Sequence, residues 1–504
     1  MAPGRRLNIG EAQRGTPLGE SRGINPPGRP VFTNTGREGC DGMANEERTG
    51  RPEGLKPIDE GFPVLRADVA GIDIGSQQHW VCAPTPTGKG REVAVFAATT
   101  PGVEQLAAWL KDRGVTSVAL ESTGVYWIAP HEILEAHGFD VVLVDTRELG
   151  RVPGRNKSDR RDCEWIQRLH SCGLLRGAFR PVEQVCMLRT LVRDKGTLIA
   201  ERADWIRRMQ KTLDQMNVRV HRAVSDVDGA TGMAILRAIV AGERDPHQLA
   251  ALRDPRCRKS EVQIAEQLTG HWRDDHLFSL QQALKMYDAL SETIAAYERE
   301  ILRQLERMTN VDRRDDQAPP PTSPTKAKAI KKRGEDPLRH ALYRISGVDL
   351  TTIDAVGVET VNVVLSEYGP NLSQFPTEKQ FVSHVGLAPH TPTSGGKVVK
   401  KKKKPGSASA RVGAALRMAA TSMRHSQTAL GAYYRQVARR GGADVAVFAT
   451  ARKLAQYIYR LLRWGQPYVD EGVAAYEKRY QLARAQRLAA AAKNLGYRLI
   501  PVEA

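Results

Sequence analysis

A carboxylate set inside an apolar run constrains this chain more than any other feature of its 504 residues. Residues 69–74 read Val-Ala-Gly-Ile-Asp-Ile, the composition of a buried strand, with Asp73 near its end. A charge in that setting must be paired, hydrogen-bonded or bound to metal, because desolvating an isolated carboxylate is too costly. Three more carboxylates stand at comparable places. Glu121 ends a second apolar run, and Asp159 and Asp162 lie three residues apart in a helical pattern. Residues i and i+3 share a helix face, so the two aspartates project together near the helix start. Acidic residues also favour a first helical turn through the helix dipole alone. With Asp73 and Glu121 present, a shared metal site is the stronger reading. Oxygen ligands from separate elements suit Mg2+, a hard cation that keeps positions open for water and phosphate oxygens. No His/Cys cluster points to zinc, and no Walker-type lysine loop is present.

The pattern around these residues predicts strands over 68–75, 79–84 and 91–98, joined by short turns at Gln77-Gln78 and Pro86-Thr87-Gly88. Thr100-Pro101 then opens a helix with Val103, Leu106, Ala107 and Leu110 at helical spacing. A strand over 115–120, a helix over 125–137 and a strand over 139–144 follow. Ser158 is the expected N-cap of the helix carrying Asp159 and Asp162, with Trp165, Ile166 and Leu169 as its apolar stripe. Lys157, Arg160 and Arg161 surround the acidic pair. Three hairpin-linked strands followed by alternating helix and strand resemble the α/β ribonuclease H-like fold, to which RuvC-type resolvases belong.

Composition divides the rest. Residues 1–65, rich in Gly, Pro, Arg, Asn and Glu, read as a disordered leader, with Met43 an alternative start. The metal-binding domain is expected over 66–182. Residues 183–310 carry a nearly continuous helical pattern, a spacer whose segments 188–220 and 277–308 should pair as a hairpin or coiled coil. A Pro/Lys-rich linker over 311–336, a mainly α carboxy-terminal domain over 337–466 and a helical tail over 467–504 complete the chain. Residues 342–369 resemble a helix-hairpin-helix element with Asp349 at its second glycine position; a plain helical corner fits equally. Ser394 lies in Thr-Ser-Gly-Gly-Lys, a Gly-flanked loop ending at Lys397, just before the run Lys400, Lys401, Lys402, Lys403 and Lys404. Each part alone is a turn or a solvated run. Together they put an accessible hydroxyl where a phosphodiester would be held.

Lys and Arg number 75 against 57 Asp and Glu, a net charge of +18 that calls for a polyanionic partner. A membrane is not expected, since no apolar run approaches the roughly 18–20 residues of a spanning helix and the amino terminus lacks the apolar core of a signal peptide. Six cysteines without a C-x-x-C pair read as reduced thiols of a cytoplasmic protein.

The sequences Gly-Ile-Asp-Ile-Gly at Asp73, Leu-Glu-Ser-Thr-Gly-Val-Tyr-Trp at Glu121 and Lys-Ser-Asp-Arg-Arg-Asp at 157–162 resemble the tetrad of the DEDD transposases, the insertion sequence 110 family. Gly-Leu-Ala-Pro at 386–389 and Thr-Ser-Gly-Gly-Lys at 393–397 resemble its carboxy-terminal signature. The resemblance covers about 68–180 and 341–465. It implies a RuvC-like domain whose Asp73, Glu121, Asp159 and Asp162 bind magnesium. It also implies a serine, Ser394, that attacks DNA and forms a transient phosphoserine bond. The partners it implies are element-end and target DNA, a guide-like noncoding RNA from the element, and further copies of the chain as a dimer or tetramer. Such a protein would sit on the bacterial nucleoid. Lys157, Arg160, Arg161, Lys397 and the five lysines at 400–404 are the expected nucleic-acid contacts; Thr391, Thr393, Ser407 and Ser409 are alternative nucleophiles. The long leader, the Pro/Lys linker and the unbroken lysine run depart from the family pattern.

Three other readings compete. A RuvC-like structure-selective nuclease would hydrolyse DNA with the tetrad alone, leaving the second domain unexplained. A sugar kinase or actin-like ATPase needs a second Gly-rich phosphate loop, for which 226–232 is a weak candidate. A nonenzymatic nucleic-acid scaffold would be indifferent to alanine at Asp73 or Asp162 except in binding.

Overall fold

The computed structural model describes residues 63–122, 124–144, 158–309, 316–321, 323–389, 393–394, 397–398, 407–467, 471–498 and 500. The leader expected over 1–65 lies almost wholly outside them.

Five strands form one mixed sheet: β1 (Val69–Ile74), β2 (Gln78–Pro84), β3 (Arg91–Ala97), β4 (Ser117–Glu121) and β5 (Asp140–Val144). Their order is β3-β2-β1-β4-β5. The first three pair antiparallel, while β4 joins β1 and β5 joins β4 in parallel. Strand positions agree with the sequence reading to within about two residues. The fourth begins at Ser117 because the Val115 amide turns back to the Leu110 carbonyl at 3.2 Å.

Helices α1 (Thr100–Lys111) and α2 (Ile128–Ala136) cover one face. Thr99 caps α1, accepting the Gly102 amide at 3.3 Å. Leu106, Leu110 and Leu134 there pack on Ala70, Ile72 and Leu120. Helix α3 (Asp159–Ser171) covers the other face, with Ile166 against Ala119 and Val144.

The spacer is an antiparallel pair, α4 (Glu183–Gln215) and α9 (Asp274–Met308), as its periodicity predicts. Between them lie α5 (Val220–Ala223), α6 (Ala230–Ala241), α7 (Pro246–Ala251) and α8 (Glu261–Leu268). These short helices build a core of their own with Met209 and Leu213 of α4 and Leu280 and Leu284 of α9. The opposite ends of the pair, at Leu188, Val192, Ile301 and Leu305, enter a second core shared with the remaining helices. Those are α10 (Pro324–Arg333), α11 (Asp336–Ser346), α12 (Val358–Tyr368), α13 (Glu378–His384), α14 (Ala408–Thr421) and α15 (Ala429–Trp464). A final helix, α16 (Gly472–Asn494), has no buried residue.

Part of the stretch read as linker is helical. Ile330 of α10 is buried in the second core, and the Lys326 ammonium reaches the Thr351 and Ile353 carbonyls, the latter at 3.1 Å. One buried apolar residue and one half-buried lysine hold this helix, too little to leave a periodic stripe in the sequence. At the following corner Gly347 takes φ +74° and ends α11. Asp349 accepts the Thr351 amide at 2.9 Å and pairs with the fully buried Arg339. The carboxylate standing at the motif's second glycine is therefore tied inside the corner.

A buried charge cluster joins the spacer to the second half. Glu367 of α12 is 1% exposed, and its two oxygens accept from Arg193 at 2.9 and 2.7 Å. Arg411 approaches it at 3.1 Å and Arg189 at 3.4 Å. Among the described residues no helix is long and apolar enough to cross a membrane, and the five cysteines are free thiols.

Candidate active site

Side chains alternate along a strand, so Gly71 and Asp73 share the face of β1 that α3 covers. The approach there is close. A Cβ on Gly71 would lie 2.2 Å from the Gln167 amide nitrogen and 2.6 Å from the Cys163 carbonyl oxygen. Gln167 also donates from Nε2 to the Val69 carbonyl at 3.2 Å. Numbers rise along α3 as they fall along β1, so the two run antiparallel and the helix start points to Asp73. Ile72 pairs with Leu120 in the parallel register, which sets Glu121 beside Asp73 at the ends of neighbouring strands. Ile166 packs on Ala119. One turn before Ile166 is Asp162, and two residues beyond Ala119 is Glu121, so both extend toward the same end. Asp159 is in the first turn of α3, where Ser158 accepts the Arg161 amide at 3.4 Å. Asp73, Glu121 and Asp162 are half-buried and Asp159 is exposed. The fold thus directs three elements distant in sequence, the ends of β1 and β4 and the start of α3, toward one end of the β1–β4 pair.

Among the described residues no three His, Cys, Asp or Glu side chains are grouped closely enough to hold a metal ion as they stand. The donor chemistry fits a hard divalent cation nonetheless. The two thiols under α3 are kept protonated: burial pushes Cys82 up to about 12, and burial with Cys82, Glu164 and Asp73 nearby pushes Cys163 up to about 12. The carboxylates at this end offer the hard oxygen donors that such a cation takes.

Two features of this end escaped the sequence reading. Trp80 of β2 stands directly opposite Asp73, and its indole Nε1 is buried with no hydrogen-bond partner among the described residues. Only the strand register exposes that pairing. Val125 and Tyr126, in the turn after Glu121, are 68% and 51% exposed and put apolar and aromatic surface beside the carboxylates.

The other expected residues are placed unevenly. Arg160 is exposed, with its Nε 3.3 Å from Glu164, and Arg161 is exposed. Lys157, Thr391 and Lys400 through Lys404 lie outside the described residues. Thr393 and Ser394 form the short strand β6 (Thr393–Ser394), which pairs antiparallel with β7 (Lys397–Val398) so that Ser394 is opposite Lys397. The loop expected there is a hairpin at the backbone level. Its flanks, Leu387 and Val412, belong to the second core and not to the sheet. Ser407 caps α14, accepting the Ala410 amide at 3.3 Å, and its Oγ lies 3.4 Å from that of Ser409.

Comparison with known proteins finds two family segments in the chain. A family model of DEDD type for the insertion sequence IS110, described as a transposase, matches residues 70–218 and so contains all four carboxylates. A second, described as the transposase IS116/IS110/IS902 family, matches 347–435 and contains the Ser394 hairpin. The "Insertion element IS116 uncharacterized 44.8 kDa protein" of Streptomyces clavuligerus is 27% identical over 171 residues, 33% of this chain and 43% of that relative. The match therefore spans less than half of the relative's length. Two segments of one chain, flanking a helical spacer, are thus similar to transposases of the IS116/IS110/IS902 family.

Proposed function

We propose that this protein is a DNA transposase that exchanges strands at the ends of its insertion sequence. The observation that carries the reading is the gathering of Asp73, Glu121 and the α3 start at one strand end, in a chain whose second half presents Ser394 on a hairpin. On this reading the sheet and its helices are a RuvC-like domain and the Asp-Glu-Asp-Asp set holds magnesium. Bound magnesium supplies charge neutralisation at phosphate oxygens. Ser394 Oγ attacks the phosphorus of a DNA strand; a serine–phosphate bond forms as the strand's sugar oxygen leaves and takes up a proton. Attack by the hydroxyl of the incoming strand reverses these bonds and frees the serine. Tyr126 offers a face for an unstacked base, and Arg160 and Arg161 offer phosphate contacts.

Because the hairpin and the carboxylates lie on different cores, the two must be brought together, within one chain or between copies in a dimer or tetramer. The domain limits at 66–182 and 337–466, a noncoding RNA partner and a nucleoid location belong to the same proposal. The test is covalent trapping. Protein, magnesium, the element's RNA and labelled element-end DNA with a nick that prevents religation are run on a denaturing gel. A protein–DNA adduct lost in both Ser394→Ala and Asp162→Ala supports the reading. Cleavage without an adduct, kept by Ser394→Ala and lost by Asp162→Ala, replaces it with a RuvC-like nuclease.

A further inference from the structure

The helices α5 to α8 lie in the interval between the two family segments, which end at 218 and resume at 347. Together with Lys332 of α10, this part of the chain lines an open cleft of about 1170 Å3. That exceeds the roughly 300–1,000 Å3 of common small-molecule sites. Arg222, Arg256, Arg258, Lys259 and Lys332 line it, against two acids, Asp226 and Asp254. Asp254 is committed to Arg256, which it holds bidentately at 2.8 and 2.7 Å. Lys259 donates to the Arg222 carbonyl and so fixes the strand of chain that presents that arginine. Arg222, Arg258 and Lys332 line the cleft and are exposed. Among the described residues its lining contains no Phe, Tyr or Trp. A site with cations and no stacking platform is suited to a sugar–phosphate backbone whose bases remain paired.

We propose that this cleft binds the backbone of a nucleic-acid duplex without reading its sequence, as a site separate from the carboxylate end of the sheet. It does not depend on the proposed strand-transfer chemistry. Duplex affinity is read without divalent metal, where the proposed strand transfer cannot run, so the two ideas fail separately.

The experiment measures fluorescence anisotropy of the full-length protein with random-sequence 20-base-pair DNA, 20-base-pair RNA and single-stranded DNA between 50 and 200 mM salt. The triple variant Arg222→Ala, Arg258→Ala, Lys332→Ala should weaken duplex binding about tenfold or more at low salt. It should also flatten the log–log salt slope by about 2–3, close to one unit for each phosphate no longer neutralised. Whichever duplex responds names the source. Asp254→Asn provides the opposite arm: it frees Arg256 and should tighten duplex binding. Both variants are checked for unchanged melting temperature. Duplex affinity and slope equal to wild type in the triple variant, or a response confined to single strands, overturns the proposal.

Discussion

Gly71 and Gln167 touch backbone to backbone: a methyl group on the glycine would stand 2.2 Å from the Gln167 amide nitrogen. Strand β1 carries Asp73 and helix α3 carries Asp159 and Asp162, so this contact sets the distance between two parts of the candidate site. Gly71→Ala must lift α3 from the sheet. The expected cost is about 1–3 kcal/mol by urea unfolding, together with loss of strand transfer. A variant as stable and active as wild type would show that α3 tolerates the shift.

Metal should stabilise the fold through the carboxylates. At a magnesium or manganese concentration one hundred times Kd, linkage adds about 2.7 kcal/mol. Thermal unfolding with and without the ion should show this in wild type and not in Asp73→Asn or Glu121→Gln. Equal stabilisation in those variants would place the ion elsewhere.

Glu367 lies at a junction where three arginines meet one buried carboxylate. Removing it leaves guanidinium groups facing one another in a partly dry site. Glu367→Ala should cost about 3–5 kcal/mol. Arg193→Ala, at a more exposed member of the group, should cost less. Chemical denaturation of both variants decides the order; a milder Glu367→Ala would mean that the arginines are relieved by its loss.

Three histidines give stability a pH dependence. Burial lowers the pKa of His79, His131 and His170 below the usual value near 6.5. Below pH 6.5 the unfolded chain takes up protons that the folded chain refuses, so stability falls as pH falls toward the folded values. Each such proton contributes at most about 1.4 kcal/mol per pH unit. Urea unfolding at pH 7.5, 6.5 and 5.5 should show the decline. His170→Gln, which keeps a partner for the Ser117 hydroxyl 2.9 Å from the imidazole, should lessen it. An unchanged slope in that variant would remove His170 from the account.

What could be read from the sequence was what local pattern determines. The five strands announced themselves by apolar runs broken at turns, and Ser158 marked the start of α3. The Asp159/Asp162 pair followed from helical spacing. What could not be read depends on distant partners. Nothing around Gly71 reveals that a helix nearly a hundred residues later lies on it. Trp80 becomes a neighbour of Asp73 only through strand register. Glu367 takes Arg193 from 174 residues away, a partnership that no local pattern around it carries. Helix α10 was hidden because its lysines bury a stem and a single ammonium where a sequence pattern registers only charge. Gly442 is similar: at φ +84° it breaks α15 inside a stretch whose later half reads as plain helix.

The α4–α9 pair has a mechanical consequence. Thirty-three residues of helix extend about 50 Å, and each end is clamped in its own core. Such a beam transmits torque. A load taken up by the small helices at its tip arrives at its root as rotation about Leu188, Val192 and the Glu367 knot, where Arg411 ties in the chain that follows the β6–β7 hairpin. Shortening the beam by whole heptads would keep both clamps and change only the lever's reach, whereas removing two residues would twist one end against the other by about 200°.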